Sequence, residues 1–228
     1  MRTRETRKRY LQVELLEGRF ALSGGGVVLP PHAMPHGYSL RDMARETALF
    51  LTSSNNPQYY PHTPFQVLYF DPSTLQATMP DGGTAVTGGN SFHVSPGTSF
   101  YVNLLNSDDS PPIVGNFPTD ASGAADYFFD PKQLGVTNTE IIVDGKSTPV
   151  GAAYVAGPVE TPPLLDVPPG VTGGTHMIEL AVFLTPMSAG THKVEIKGEF
   201  AGDAFRYTYH AVYGNFLSED FTYRVQVG

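Results

Sequence analysis

The stretch Met177-Ile178-Glu179-Leu180-Ala181-Val182-Phe183-Leu184 most constrains what this chain can fold into. In a strand, Ile178, Leu180, Val182 and Leu184 share one face while Met177, Ala181 and Phe183 share the other. A strand that is apolar on both faces belongs in the middle of a sheet. After Thr185-Pro186-Met187-Ser188-Ala189-Gly190, the run Thr191 to Gly198 alternates Val194 and Ile196 with Lys193, Glu195 and Lys197, the pattern of a strand with one wet face. The pair reads as two strands joined by a tight turn. Pro186 closes the first strand, and Gly190 sits where the corner needs a positive φ.

The rest of the chain repeats this grammar of short strands and punctuation. Ser39 can cap a helix over Leu40 to Thr52, with Asp42 at the reciprocal capping position and Leu40, Met43, Ala44, Ala48 and Leu51 at helical spacing. Phe65 to Phe70 is a strand candidate. Phe92-His93-Val94, the turn Ser95-Pro96-Gly97 and Thr98 to Leu105 read as a hairpin. Residues 106–125 read as a long polar insertion and residues 157–174 as a Pro/Gly loop. Glu140 to Val150 is a hairpin about Asp144-Gly145, a pair that supplies the positive φ angles of a two-residue turn. Phe205 to Tyr213 alternates as a strand with Phe205, Tyr207, Tyr209, Ala211 and Tyr213 on one face, and Phe221 to Val227 is a final alternating strand.

Composition narrows the class. There are 228 residues, with 24 Gly, 20 Pro, 12 Tyr and 14 Phe, enough aromatic mass for a core and many turns. No cysteine is present, so disulfides, thiol nucleophiles and cysteine-held metals are excluded. Beyond residue 23 the chain has 8 basic and 19 acidic residues. Such a body offers no footprint for nucleic acid or anionic membrane, and no apolar run is long enough for a membrane span.

The first 23 residues hold the remaining basic groups, Arg2, Arg4, Arg7, Lys8, Arg9 and Arg19. Glu14, Glu17 and Arg19 interrupt what would otherwise be the apolar region of a secretory signal. Leu16-Glu17-Gly18-Arg19-Phe20-Ala21-Leu22-Ser23 after a basic run resembles the Leu-Glu-x-Arg-x-x-Leu-Ser signature of planctomycete surface and secreted proteins, which implies export or envelope association. An amphipathic N-terminal helix or a disordered basic tail is the alternative. Leu184 to Gly198 and the ending Asp220 to Val227, with Val94 to Asn106 and Val143-Asp144-Gly145, also resemble an uncharacterised family of exported bacterial proteins with a Pro-Leu-x-Pro-Gly-x-His-x-Ile-type pattern. The chain departs from that family in lacking tryptophan, and the resemblance implies a β-sandwich but no activity.

Candidate sites are sparse. His192 follows Ser188-Ala189-Gly190-Thr191 at a strand start, where a ring can bond back to the backbone and pin a corner, with a ligand or catalytic role as the alternative. The other histidines show no metal-ligand spacing. Neither a Gly-x-Ser-x-Gly elbow nor a phosphate-cradling glycine loop is present. Carboxylates cluster at Asp108-Asp109, at Asp126 and Asp130, and at Glu219-Asp220. Asp108, Asp109, Asp126 and Asp130 are therefore calcium candidates, with solvated loop acids as the alternative. The tyrosine-rich run 205–213 is either core or a stacking platform for sugar.

The expected fold is all-β, an antiparallel β-sandwich of immunoglobulin-like or jelly-roll-like type over residues 27–228, with one peripheral helix near 40–52 and residues 1–26 as a basic targeting or flexible tail. The expected role is that of a secreted or cell-envelope protein of structural or binding type, whose partner is a surface polymer or another envelope protein. No catalytic residue and no cofactor beyond calcium is indicated. The alternative is a calcium-assisted carbohydrate-binding module or a glycan-acting enzyme.

Overall fold

The computed structural model describes residues 27–228, so the expected N-terminal tail lies outside the described residues. Ser39 sets the first element: its Oγ accepts the Asp42 backbone N–H at 3.1 Å, and the Asp42 carboxylate accepts the Ser39 N–H at 2.9 Å. This reciprocal box opens α1 (Leu40–Thr52), with the bounds expected from sequence.

Ten strands follow among the described residues: β1 (Phe65–Leu68), β2 (Gln76–Thr78), β3 (Thr84–Val94), β4 (Ser99–Asp108), β5 (Val136–Val143), β6 (Lys146–Pro149), β7 (Val155–Glu160), β8 (His176–Leu184), β9 (Gly190–Phe200) and β10 (Leu217–Val227). They form a four-stranded sheet, β1-β4-β8-β7, and a six-stranded sheet, β2-β3-β10-β9-β5-β6. Strand β8 is interior, as its two apolar faces demand. Ile178, Leu180, Val182 and Leu184 enter a core shared with Ile141 of β5, Val194 and Ile196 of β9, and Phe221, Tyr223 and Val225 of β10. Met177, Ala181 and Phe183 pack on the opposite side with Met43, Ala44, Ala48 and Phe50 of α1. The layers are thus helix, four-stranded sheet and six-stranded sheet, and each fully buried large side chain stabilises this stack by roughly 1.5–3 kcal/mol.

Three expectations are corrected. The sheets are mixed rather than antiparallel, because β1 runs parallel to β4 and β3 parallel to β10. Among the described residues there are three α-helices, not one, since α2 (Ala121–Phe129) and α3 (Asp203–Tyr213) join α1. Helix α2 lies in the stretch read as a polar insertion, where Asp120 Oδ1 accepts the N–H groups of Ser122 and Gly123. Finally, two of the three expected hairpins are sheet-to-sheet arches. β3 and β4 belong to different sheets, as do β8 and β9, so the turns at 95–98 and 185–189 carry the chain across the core. Of the three expected hairpins, the Asp144-Gly145 turn alone joins paired neighbours, β5 and β6, with φ values of 49° and 81°.

Candidate ligand cleft at one end of the sheets

Helix α3 builds one wall of a concavity at one end of the sheets. Its first N–H groups are satisfied by a neighbouring loop: Gly202, Asp203 and Ala204 donate to the carbonyls of Leu134, Pro131 and Lys132 at 2.8, 2.7 and 3.2 Å. Gly214, at φ 75°, ends the helix. The alternation read as a strand is therefore overturned, because Phe205, Tyr209 and Tyr213 also recur every fourth residue and the helix puts them on one side. Their rings run in a column, with centroids 5.6 Å apart from Phe205 to Tyr209 and 5.7 Å from Tyr209 to Tyr213. Tyr207, on the other side, is 94% exposed.

Facing this column are Asn106, Ser107 and Asp108 at the end of β4, Asp166 in the 161–175 connection, and Leu217 and Glu219 at the start of β10. Together they enclose a cleft of about 510 Å³. A second cavity, of about 350 Å³, shares Asn106, Asp166, Tyr213 and Glu219 with it. Three acids from three elements therefore meet at one concavity.

Their electrostatics follow from lost water. Burial raises Asp108, against the opposing hydrogen bonds of Ser110, and Asp109 adds repulsion. Asp166, on the exposed rim, is pushed up to about 6 by partial loss of water and then by the charge of Asp108. Burial pushes Glu219 up to about 7. The field reaches the aromatic wall: after burial, Asp108 and Asp166 raise the Tyr209 hydroxyl, and Glu219 raises that of Tyr213.

Of the four acids singled out for calcium, Asp108 alone lines this cleft. Asp109 turns to the loop before β8, where its Oδ1 accepts the Thr175 and His176 N–H groups at 2.7 and 2.8 Å and its Oδ2 lies 2.9 Å from His176 Nδ1. Asp126 and Asp130 line a separate hollow beside α2 with Asp120. Among the described residues no three His, Asp or Glu side chains converge as a metal site. Asp166 had no signal in sequence, sitting alone among prolines.

Two further polar sites are buried. Glu179 of β8 is fully enclosed. Its Oε2 accepts from Tyr101 Oη at 2.7 Å and Asn103 Nδ2 at 2.9 Å, and its Oε1 lies 2.8 Å from Thr47 Oγ1. Thr47 has one hydroxyl proton and sits 2.8 Å from the Met43 carbonyl as well. Both contacts carry a proton only if Glu179 is neutral and donates to Oγ1. Burial, opposed by these hydrogen bonds, pushes the carboxyl up to about 7. The sequence pattern gave no role to Glu179, which lies within an otherwise apolar run.

His192 occupies a corner, as expected. Nδ1 lies 2.7 Å from Asp144 Oδ2, Nε2 lies 2.8 Å from the Ser188 carbonyl, and Ser188 Oγ is farther away at 3.5 Å. Both ring nitrogens thus face acceptors, which suits an imidazolium. Burial opposes that charge, but the bonds to Asp144 and Ser188 prevail and the pKa is raised. With Nε2 spent on a carbonyl, the ring is a clamp rather than a base for the Ser188 hydroxyl.

No family model and no curated protein matches this chain. Among solved structures, the solution structure of amebosin is 12% identical, covering 61% of this chain and 97% of its own length at a TM-score of 0.21. A mutant of the CFA/I enterotoxigenic E. coli adhesin CfaE is 12% identical, covering 70% of this chain and 50% of its own length at a TM-score of 0.26. Neither likeness is strong enough to carry an argument. No helix among the described residues is long and apolar enough to cross a membrane.

Proposed function

We propose that this chain is an exported or cell-envelope binding module, with the sheets as frame and the cleft as ligand site. The cleft carries the reading: about 510 Å³ walled by Phe205, Tyr209 and Tyr213 and by acids from three separate elements has the size and mixed lining of a small-molecule site. The partner is a surface polymer or another envelope protein that presents a group small enough to enter. Export is supported by the basic run and the Leu16 to Ser23 core in the N-terminal segment. Calcium-assisted glycan binding is the second reading, favoured by Tyr209 and Tyr213 lying beside Asp108.

Thermal melts of the full chain against neutral oligosaccharides, organic cations and calcium test the proposal, followed by the fluorescence of its tyrosines. Binding to the folded state raises the midpoint. One class of small molecule is expected to do so, with Tyr209→Ala abolishing the shift and calcium alone leaving the midpoint unmoved. A panel in which nothing moves the midpoint overturns the binding reading, and a shift that needs calcium and a sugar together establishes the second reading instead. Residues 1–26 fused to a reporter should deliver it outside the cytoplasm of a planctomycete host. Retention inside would remove the export part alone.

A further inference from the structure

The charge in the cleft is one-sided. Among the described residues no Lys, Arg or His lines it or the cavity joined to it, while Asp108, Asp166 and Glu219 line the cleft. Glu219 reaches in from β10 between two strands of the six-stranded sheet, and its carboxylate has no hydrogen bond and no cation among the described residues. The groups facing it are Tyr213 from α3, Tyr223 from its own strand, Asn106 from β4 and Asp166 from the 161–175 connection. All are neutral or acidic. Glu219 is half-buried, so its carboxylate loses part of its water without gaining a partner, and Asp108 and Asp166 repel each other across the same cleft.

Resting on the binding-module reading, we infer that the cleft takes an organic cation, an ammonium or guanidinium group on an apolar stem, with its head among Asp166, Glu219 and Asp108 and its stem along Tyr209 and Tyr213. The cation supplies the missing counter-charge, and the aromatic column offers ring faces that attract it further. A neutral sugar would leave three carboxylates uncompensated. A bare metal ion would leave most of the 510 Å³ empty. Such a head group comes from a free amine or from a lysyl side chain of a partner protein.

The test is isothermal titration of the full chain at pH 8 with cadaverine, with Nα-acetyl-lysine methylamide, and with 1,5-pentanediol as the neutral match in shape. Cadaverine binding without the blocked lysine assigns the site to free amines, and binding of both assigns it to a lysyl head group. In either case Glu219→Gln should weaken binding by about tenfold or more, and affinity should fall toward pH 5 as the acids take up protons. If Glu219→Gln does not fold, Asp166→Asn on the rim gives the same readout. Pentanediol binding as tightly as the cations, cation binding untouched by these variants, or no cation binding overturns the inference. An oligosaccharide that still shifts the melting midpoint in a Tyr209-dependent way would then leave the binding-module reading standing, whereas a wholly silent panel removes both.

Discussion

Glu179 and His192 show how single protonation events hold this molecule. Glu179 has its folded pKa raised to about 7 from an unfolded value near 4.3, so the folded state binds more protons between those values. Its stabilising share is complete below the unfolded pKa and is lost as pH rises through the folded one. Glu179→Gln keeps a donor for Thr47 and an acceptor for Tyr101 and Asn103 while removing the titration. Denaturant midpoints at pH 5 and pH 8 should therefore differ less in the variant than in the native chain, and an identical pH difference would show that Glu179 does not titrate in this range. His192 shares the sign, since its pKa is raised: its contribution is full below about 6.5 and fades above the folded value. His192→Ala should accordingly cost more stability at pH 6 than at pH 9, by paired urea melts, and a pH-independent cost would mean that the ring acts by packing alone. Gly190 has φ 133° with open space around it, so Gly190→Val should destabilise through backbone strain by about 1–3 kcal/mol. Lys193→Gln, which removes an exposed pair with Glu195, should change stability by no more than about 0.5 kcal/mol. Equal midpoints for these two variants would sink the strain argument.

Elements pack more tightly in one place than composition suggests. A bulge in β4 between Asn103 and Leu105 sends both Leu104 and Leu105 into the core, and a Cβ on Gly198 of β9 would lie 2.7 Å from a Leu105 methyl. Gly198→Val should therefore cost about 1–3 kcal/mol by overpacking, and Leu105→Ala in the same chain should recover part of that loss. Independent, additive losses in the double variant would refute the contact. At this scale the sequence was legible wherever a local rule decided the outcome. Ser39 and Asp42 fixed α1, Asp144-Gly145 fixed the hairpin, and the two apolar faces of Met177 to Leu184 marked the interior strand. It was not legible where a partner decides. An arch and a hairpin show the same inward alternation on either side of a short turn, so Leu184 and Val194 gave no sign that they belong to opposite sheets of one core rather than to a single sheet. The run Phe205 to Tyr213 satisfies periods of two and of four alike, and what selects the helix is the docking of Gly202 to Ala204 on the 131–134 carbonyls. The cleft was half visible: Asp108, Glu219 and the tyrosines were in view, but nothing local ties them to Asp166.

At the scale of the whole molecule, both sheets depend on strands remote in sequence. β10 is central in its sheet, with all eleven residues in register against both β3 and β9. Deleting residues 217–228 would strip partners from both neighbours and remove Glu219 from the cleft. The shortened chain should show no cooperative melt by circular dichroism and should aggregate on size-exclusion chromatography, since two long unpaired edges template further pairing. A soluble, cooperatively melting product would refute the central role of β10. The same arrangement bears on how the protein is made. Of the ten strands, β10 leaves the ribosome last, and residues 95–216 must be synthesised before β3 meets its parallel partner. Until then the nascent chain has no finished six-stranded sheet, so its dependence on holding factors should peak just before residues 217–227 emerge and fall once they are threaded between their neighbours.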